Sequence, residues 1–280
     1  MKVAVSLFQR NNARHLIEWF AWYHTLGVDT FIVYDHMSVD NSYEIIQKLS
    51  KFYDIRHTQL IGYSAGIRCW DYTFQYRASG EFDWVMVADA DEFYLPIEDN
   101  NIKDILSRYM DKKLSCLGIY WAMFGSNGHT DWEPGLVTEC YTKRGHLNHK
   151  LNHHIKPILR GGPAGGNVWG RNNGHCLITE YGTYDVLGRL VTQGLNYPGE
   201  ITHDVLRLNH YWAKSLEYFR TVKKPTGQRS DRPESDPGVH ITEEFWWQQN
   251  LNDVEDNSAW NRFGTKVKER YNIMKEQIGL

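Results

Sequence analysis

The feature that most constrains the fold is a regular alternation of strand-like and helix-like segments over the first 125 residues. It leads to a nearly all-apolar run, Asp83–Ala88, that ends in Asp89-Ala90-Asp91-Glu92. Lys2–Phe8 alternates and is partly β-branched, as a strand does. Gln9–Asn12 is a polar break, and Ala13–Leu26 then carries Leu16, Ile17, Trp19, Phe20 and Tyr23 at helical spacing. Asn11 or Asn12 is suited to cap that helix, and Gly27 to end it. Asp29–Tyr34, Asp54–Leu60 and Cys116–Phe124 read as further strands, and Asp40–Leu49, Trp70–Ala78 and Ile102–Met110 as helices. This order predicts an α/β fold with a mainly parallel central sheet flanked by helices and joined by right-handed crossovers. A strand apolar on both sides, as Asp83–Ala88 is, belongs in the middle of such a sheet. Ligands bind at the carboxyl ends of the strands, which directs attention to Phe8–Asn12, Asp35–Asp40, Asp89–Glu92 and Gly125–His129.

After residue 130 the pattern changes. Residues 143–175 are rich in Gly, His, Asn and Lys, with Gly161-Gly162-Pro163-Ala164-Gly165-Gly166 in the middle. So long an aperiodic stretch is expected to be a functional loop. Ile201–His210 reads as a late strand, Trp212–Val222 as a helix, Thr226–Gly238 as a mobile Pro/Gly/charge-rich segment, and Glu243–Asn250 and Ala259–Ile278 as closing helices. No repeat or linker divides the chain, so one domain over 1–280 is expected.

Composition narrows the function. The net charge of −3 lacks the basic footprint of a nucleic-acid binder. No apolar run approaches the length of a membrane span, and the N-terminus is too short in apolar residues for a signal peptide. Cys69, Cys116, Cys140 and Cys176 are widely spaced, which predicts neither a disulfide framework nor a zinc knuckle. These features predict a soluble, cytoplasmic protein. Aromatic residues make up 14% of the chain, more than a core of this size needs, which suits a sugar-binding cleft.

Three strand exits carry chemistry. Alternation sends Asp89 and Asp91 to the same side, and paired carboxylates suit a hard divalent cation such as Mg²⁺ or Mn²⁺. Asp35 is placed to accept hydrogen bonds from a ribose or base, or equally to serve its own turn, while Asp40 suits a helix cap. His210, at the end of the late strand, offers an imidazole that would complete a metal site. Gly62-Tyr63-Ser64-Ala65-Gly66 matches a nucleophile elbow, which makes a serine esterase acting through Ser64 the competing reading. Ser64 is, however, early in the chain and no His-Gly loop precedes it. His146, His149, His153 and His154 form a tract among lysines, read as a basic surface facing a phosphate. A phosphatase of the haloacid-dehalogenase type lacks its later acidic pair, and a lectin-like module would not need the paired Asp residues.

Taken in order, Leu16-Ile17-Glu18-Trp19, Tyr23-His24, Phe31–Asp35 with Ser38-Val39-Asp40, Asp83-Trp84 leading to Asp89–Phe93, Phe124–His129, Gly135-Leu136-Val137, Lys156-Pro157-Ile158, Asn209-His210-Tyr211 and Lys214-Ser215 resemble the family 92 and family 2-like glycosyltransferases of the GT-A fold. The sequence departs from that pattern at Asn11-Asn12-Ala13 and His36-Met37. The resemblance implies a metal-dependent, inverting transfer of a hexose or pentose from a UDP-sugar to a glycan hydroxyl. It implies a donor-binding half over 1–125 and an acceptor-binding half over 126–280. By this resemblance Asp89, Asp91 and His210 hold Mn²⁺ or Mg²⁺, with Asp89 alternatively on the ribose. Arg10, Asn12, Asp35, Arg68, Gln75 and Lys214 hold the nucleotide or diphosphate. Inversion needs a base on the acceptor side, for which Asp131 and Glu139 are the candidates, and Trp121, Trp132 and Trp169 are candidates to stack on acceptor sugars.

Overall fold

The computed structural model describes residues 1–62, 65–172, 175–226 and 242–280. The expected alternation is present, with one unexpected strand, β5, added: β1 (Val3–Gln9), α1 (Ala13–Thr25), β2 (Thr30–Asp35), α2 (Ser42–Leu49), β3 (Ile55–Gln59), α3 (Ala65–Ala78), β4 (Trp84–Val87), β5 (Glu92–Pro96), α4 (Ile102–Ser107) and β6 (Cys116–Met123). Next come α5 (Val137–Cys140), β7 (Lys143–Arg144), β8 (Ile155–Arg160), β9 (Val168–Asn172), β10 (Cys176–Thr179), β11 (Thr183–Tyr184) and β12 (Leu206–His210). A broken helix follows, α6 (Leu216–Tyr218), a π-helical turn over Phe219–Lys223 and α7 (Lys224–Thr226), then α8 (Glu243–Gln249), β13 (Val254–Glu255) and α9 (Ser258–Ile278).

The main sheet runs β3-β2-β1-β4-β8-β6-β12-β5, with β11 on β6. Strands β1 to β4 pair in parallel, as do β6 with β12 and β11. β8 is antiparallel to both β4 and β6, and β5 is antiparallel to β12. Because β8 reverses twice, β4 and β6 point the same way. The carboxyl ends of β1, β2, β4, β6 and β12 and the amino end of β8 therefore share one edge of the sheet.

The apolar character of β4 follows from its place. Trp84 and Met86 enter the core beneath α1 and α9, where Leu16, Trp19, Phe20, Trp22, Tyr23, Phe263 and Val267 pack. Val85 and Val87 face the opposite core with Ala65 and Cys69 of α3. Trp19, Trp22, Trp84 and Trp246 are fully buried, each worth roughly 2–3 kcal/mol of transfer free energy. Much of the aromatic excess is thus core, and the ring nitrogens of Trp19 and Trp22 find the carbonyls of Asp89 and Tyr94. Among the described residues no helix is long and apolar enough to cross a membrane.

Several details differ from expectation. The 143–175 region is not one loop: Ile155–Arg160 is a fully buried strand at the sheet's centre. The late strand is shorter, beginning at Leu206, and the helix after it starts at Leu216 rather than Trp212. Neither Asn11 nor Asn12 caps α1 with its side chain; Asp40 does, accepting from the Ala13 amide at 2.9 Å while its other oxygen accepts from Ser42 at the start of α2. One carboxylate thus serves the amino ends of two helices. Gly27 does end α1, in a left-handed conformation at φ 88°. Ser64 and nearly all of Thr226–Gly238 lie outside the described residues.

Candidate functional site

Where the strand ends converge, a cleft of about 610 Å³ opens. Its lining includes Gln9 at the end of β1, Arg10 and Asn12 after it, Asp89 and Asp91 after β4, and Trp121 of β6. His154 before β8, His210 of β12, and Tyr218 and Lys223 of the broken helix complete it. The side chain of Arg10 has a buried Nε, and Trp121 a buried Nε1, with no hydrogen-bond partner among the described residues. Leaving such donors unpaired costs about 1–3 kcal/mol each.

The acidic turn at the exit of β4 is matched by cations. Asp89 Oδ2 accepts from Lys156 Nζ at 2.5 Å, and the same ammonium is 3.3 Å from Glu92 Oε2. Glu92 is fully buried and accepts from the Asp89 amide at 2.8 Å, which fixes the turn. Asp91 is 6% exposed. Its Oδ1 is 3.5 Å from His210 Nε2, and its Oδ2 accepts from Lys223. Burial alone would raise the Asp91 carboxyl, but Lys223, His210 and Lys214 together hold it well below the ordinary value. Burial keeps His210 neutral by lowering its pKa, against the pull of Asp91. Burial likewise works against the Lys156 ammonium, and Asp89 and Glu92 overcome it. Asp91 is therefore held as a carboxylate, and each acid of the Asp-x-Asp motif faces an ammonium.

The structure brings together Asp89, Asp91, His210, Arg10, Asn12 and Trp121 in this cleft and leaves the other expected residues elsewhere. Asp35 is fully buried and ties the loop after β2 to the end of β1, accepting from Gln9 and from Ser38 Oγ at 2.5 Å. Lys214 is buried behind the cleft, 3.1 Å from His15 Nδ1 and over the Tyr218 ring; burial lowers it to about 8. Arg68 donates to the Ile61 carbonyl, and Gln75 lines a separate depression with Tyr34 and Tyr72. Asp131 is exposed beside Thr130. Glu139 lines another cavity and pairs with Lys268 at 3.2 Å. Of the three tryptophans, Trp121 lines the cleft, Trp132 packs on His15 and Tyr218, and Trp169 is 67% exposed on β9.

Three cleft residues carried little signal. His154 stacks on Trp121 with ring centroids 5.0 Å apart, and His175 meets the same ring edge-on at 5.2 Å. Burial lowers His154 to about 4 and also lowers His175, so both are neutral imidazoles. His154 sits in the tract read as a basic surface, and Ile155 and Ile158-Leu159 beside it are interrupted by Lys156 and Pro157, which masks the strand. Lys223 lies at the end of a helix whose apolar face packs Phe219 and Trp212 together, and nothing local marks it.

Comparisons with known proteins agree with the sequence reading. A Glycosyltransferase family 92 protein of Ricinus communis is 26% identical over 163 residues, covering 56% of this chain and 29% of the relative. A Glycosyltransferase family 92 protein of Oryza sativa subsp. japonica is 28% identical over 151 residues, covering 51% of this chain and 24% of the relative. The chain thus spans less than a third of the length of these relatives. Among solved structures, S. aureus TarS 1–349 in complex with UDP is similar at 18% identity and a TM-score of 0.37, over 57% of this chain and 47% of that one. Glucosyl-3-phosphoglycerate synthase from Mycobacterium tuberculosis, in complex with Mn²⁺, UDP and phosphoglyceric acid, is similar at 14% identity and a TM-score of 0.31, over 43% of each chain. Residues 3–156, more than half of the sequence, match the profile of Glycosyltransferase family 92, and the chain belongs to that family.

Proposed function

We propose that this protein is a GT-A glycosyltransferase that moves a hexose or pentose from a UDP-sugar to a hydroxyl of a glycan acceptor, with inversion. The observation that carries this reading is the pair of acidic side chains, Asp89 and Asp91, at the exit of a buried central strand on the lining of a polar cleft, with His210 3.5 Å from Asp91. Family membership supports the transfer chemistry.

The donor set fits a divalent ion in part. Among the described residues no group of three or more His, Cys, Asp or Glu side chains lies close enough to hold a metal alone. Asp91 and His210 supply one carboxylate and one neutral imidazole, 3.5 Å apart. Small divalent cations are commonly held by one or two carboxylates plus substrate phosphates, so Mn²⁺ or Mg²⁺ would sit on Asp91 and His210 and take further oxygens from the donor. Bound there, it would neutralise the charge that grows on the leaving diphosphate. Asp89, fixed by Lys156, is left to orient the donor through its second oxygen. Arg10 and Asn12 face the same space and are suited to the nucleotide. Besides the carboxylates and His210, the neutral imidazoles of His154 and His175 are the described cleft groups able to take the acceptor's proton.

The test is UDP-sugar turnover with Mn²⁺ by the wild type and Asp91→Asn across UDP-galactose, UDP-glucose and UDP-xylose. We expect turnover of one donor, and its fall by about a hundredfold or more in the variant, since electrostatic stabilisation of the leaving group is worth several kcal/mol. Undiminished turnover in Asp91→Asn would overturn the assignment.

A further inference from the structure

Lys223 stands where the proposed metal and the donor's diphosphate would both act. It is carried on the π-helical turn between α6 and α7, a geometry that recurs at functional sites. Its ammonium donates to Asp91 Oδ2 and lies 4.6 Å from the centroid of the Trp212 ring. The side chain is 11% exposed and borders the open cleft.

The two other lysines near the acidic turn are fixed. Lys156 is on β8 in the middle of the sheet and is clamped by Asp89 and Glu92 together. Lys214 is fully buried against His15, away from the cleft lining. Lys223 differs in both respects: it is on a helix at the rim, and the carboxylate it engages is the one that would bind the ion. A carboxylate as enclosed as Asp91 does not hold an ammonium and a divalent cation at full strength, because like charges at that distance repel. The binding of one weakens the other. An ammonium leaving Asp91 stays at the cleft beside Trp212, where an anionic phosphate oxygen of a bound donor would be a charge-matched partner.

Resting on the nucleotide-sugar reading above, we propose that Lys223 is a diphosphate ligand that occupies Asp91 in the donor-free enzyme and is exchanged for the metal when donor and metal bind together. Metal alone therefore competes with Lys223, whereas metal with nucleotide does not, because the diphosphate takes the ammonium. The consequence is ordered charge: the site gains its full positive potential only when a diphosphate is there to use it.

The test is titration calorimetry of the full chain with Mn²⁺ alone and with UDP in saturating Mn²⁺, for wild type, Lys223→Met and Lys223→Arg, with thermal melts as a check on folding. Lys223→Met is expected to bind Mn²⁺ alone roughly fivefold or more tightly than wild type, because a competitor is gone. It is expected to bind UDP in Mn²⁺ about tenfold to a hundredfold more weakly, the loss of one charge-assisted hydrogen bond. Lys223→Arg should recover UDP binding, which a loss of packing alone would not explain. If wild type binds UDP and Lys223→Met binds it equally well, or if Mn²⁺ affinity without UDP is unchanged, the exchange is refuted while the nucleotide-sugar reading stands. If wild type itself binds no UDP in Mn²⁺, both fall.

Discussion

Glu18 offers a sharp test of how this fold handles a buried charge. It lies on the inner face of α1, 2% exposed. Its Oε2 accepts the Val137 amide at 2.6 Å, and its Oε1 accepts the amide and hydroxyl of Thr138 at 2.9 Å each. Leu136, at the cap position of α5, makes no side-chain cap bond, so a carboxylate from 119 residues earlier caps that helix instead. Burial pushes the carboxyl up and the three hydrogen bonds pull it down; burial wins, and Glu18 is raised from 4.5 to about 7. A shift of that size corresponds to about 3 kcal/mol of pH-linked folding free energy. The sign follows from proton occupancy. Between those two values the folded protein keeps a proton that the unfolded chain has released. The stability from Glu18 is thus complete below about pH 4.5 and is lost as pH rises through 7. The perturbation is Glu18→Gln, which is uncharged at every pH. The assay is urea unfolding of both proteins at pH 5, 6, 7 and 8. His15, which burial and the nearby Lys214 lower to about 4, titrates in the opposite sense but is present in both proteins, so it largely cancels in the difference. The variant's stability relative to wild type should rise by about 2.5 kcal/mol from pH 5 to pH 8. A difference flat to within about 0.5 kcal/mol would mean that the cap bonds hold Glu18 ionised throughout, and the reasoning would fail.

Two further outcomes follow from the geometry. Gly161→Ala would put a Cβ 1.8 Å from the backbone oxygen of Phe82; the two segments lie just outside β4 and β8 and are tied by the Gly161 amide donating to the Asp83 carbonyl at 2.8 Å, so melting should drop by roughly 6 °C or more, and an unchanged melting temperature would contradict the packing described. Asp131→Asn and Glu139→Gln should each keep transfer within about twofold of wild type, because neither side chain reaches the cleft; a large fall in kcat for either would restore it as the base.

Local pattern made the first half of the fold legible. Runs such as Val3–Leu7 and Trp84–Val87 are buried on both faces, so their apolar continuity translated directly into central parallel strands, and the Asp-x-Asp turn stood out against them. β8 was hidden for a physical reason. Its only local cue was five residues long, it contains Lys156 and Pro157, and proline ordinarily argues against a central strand. Here Pro157 faces Gly118 of β6, beyond the end of the pairing with β4 at Met86–Ile158. β5 was missed because it opens with a buried Glu92 and closes with Pro96. The site divides the same way. Asp89, Asp91 and His210 lie at strand ends that the pattern located. His154, His175 and Lys223 reach the cleft through sheet order and helix packing, which no window of sequence contains. Asp131 and Glu139 were chosen because they follow β6 in the chain, yet chain proximity to a strand end does not bring a side chain to the edge where the strands converge.

The reversed strand β8 has a consequence for how the chain acquires its structure. When residues 1–125 have been made, β4 has β1 on one side and a bare ladder of amides and carbonyls on the other. Its partner is not complete until Arg160, and β12, which joins the far side of β6, ends at His210. Residues 1–125 therefore do not complete the sheet around β4 by themselves. Its most apolar strand waits with an open edge for a segment made later, a situation that favours slow closure and aggregation of interrupted chains.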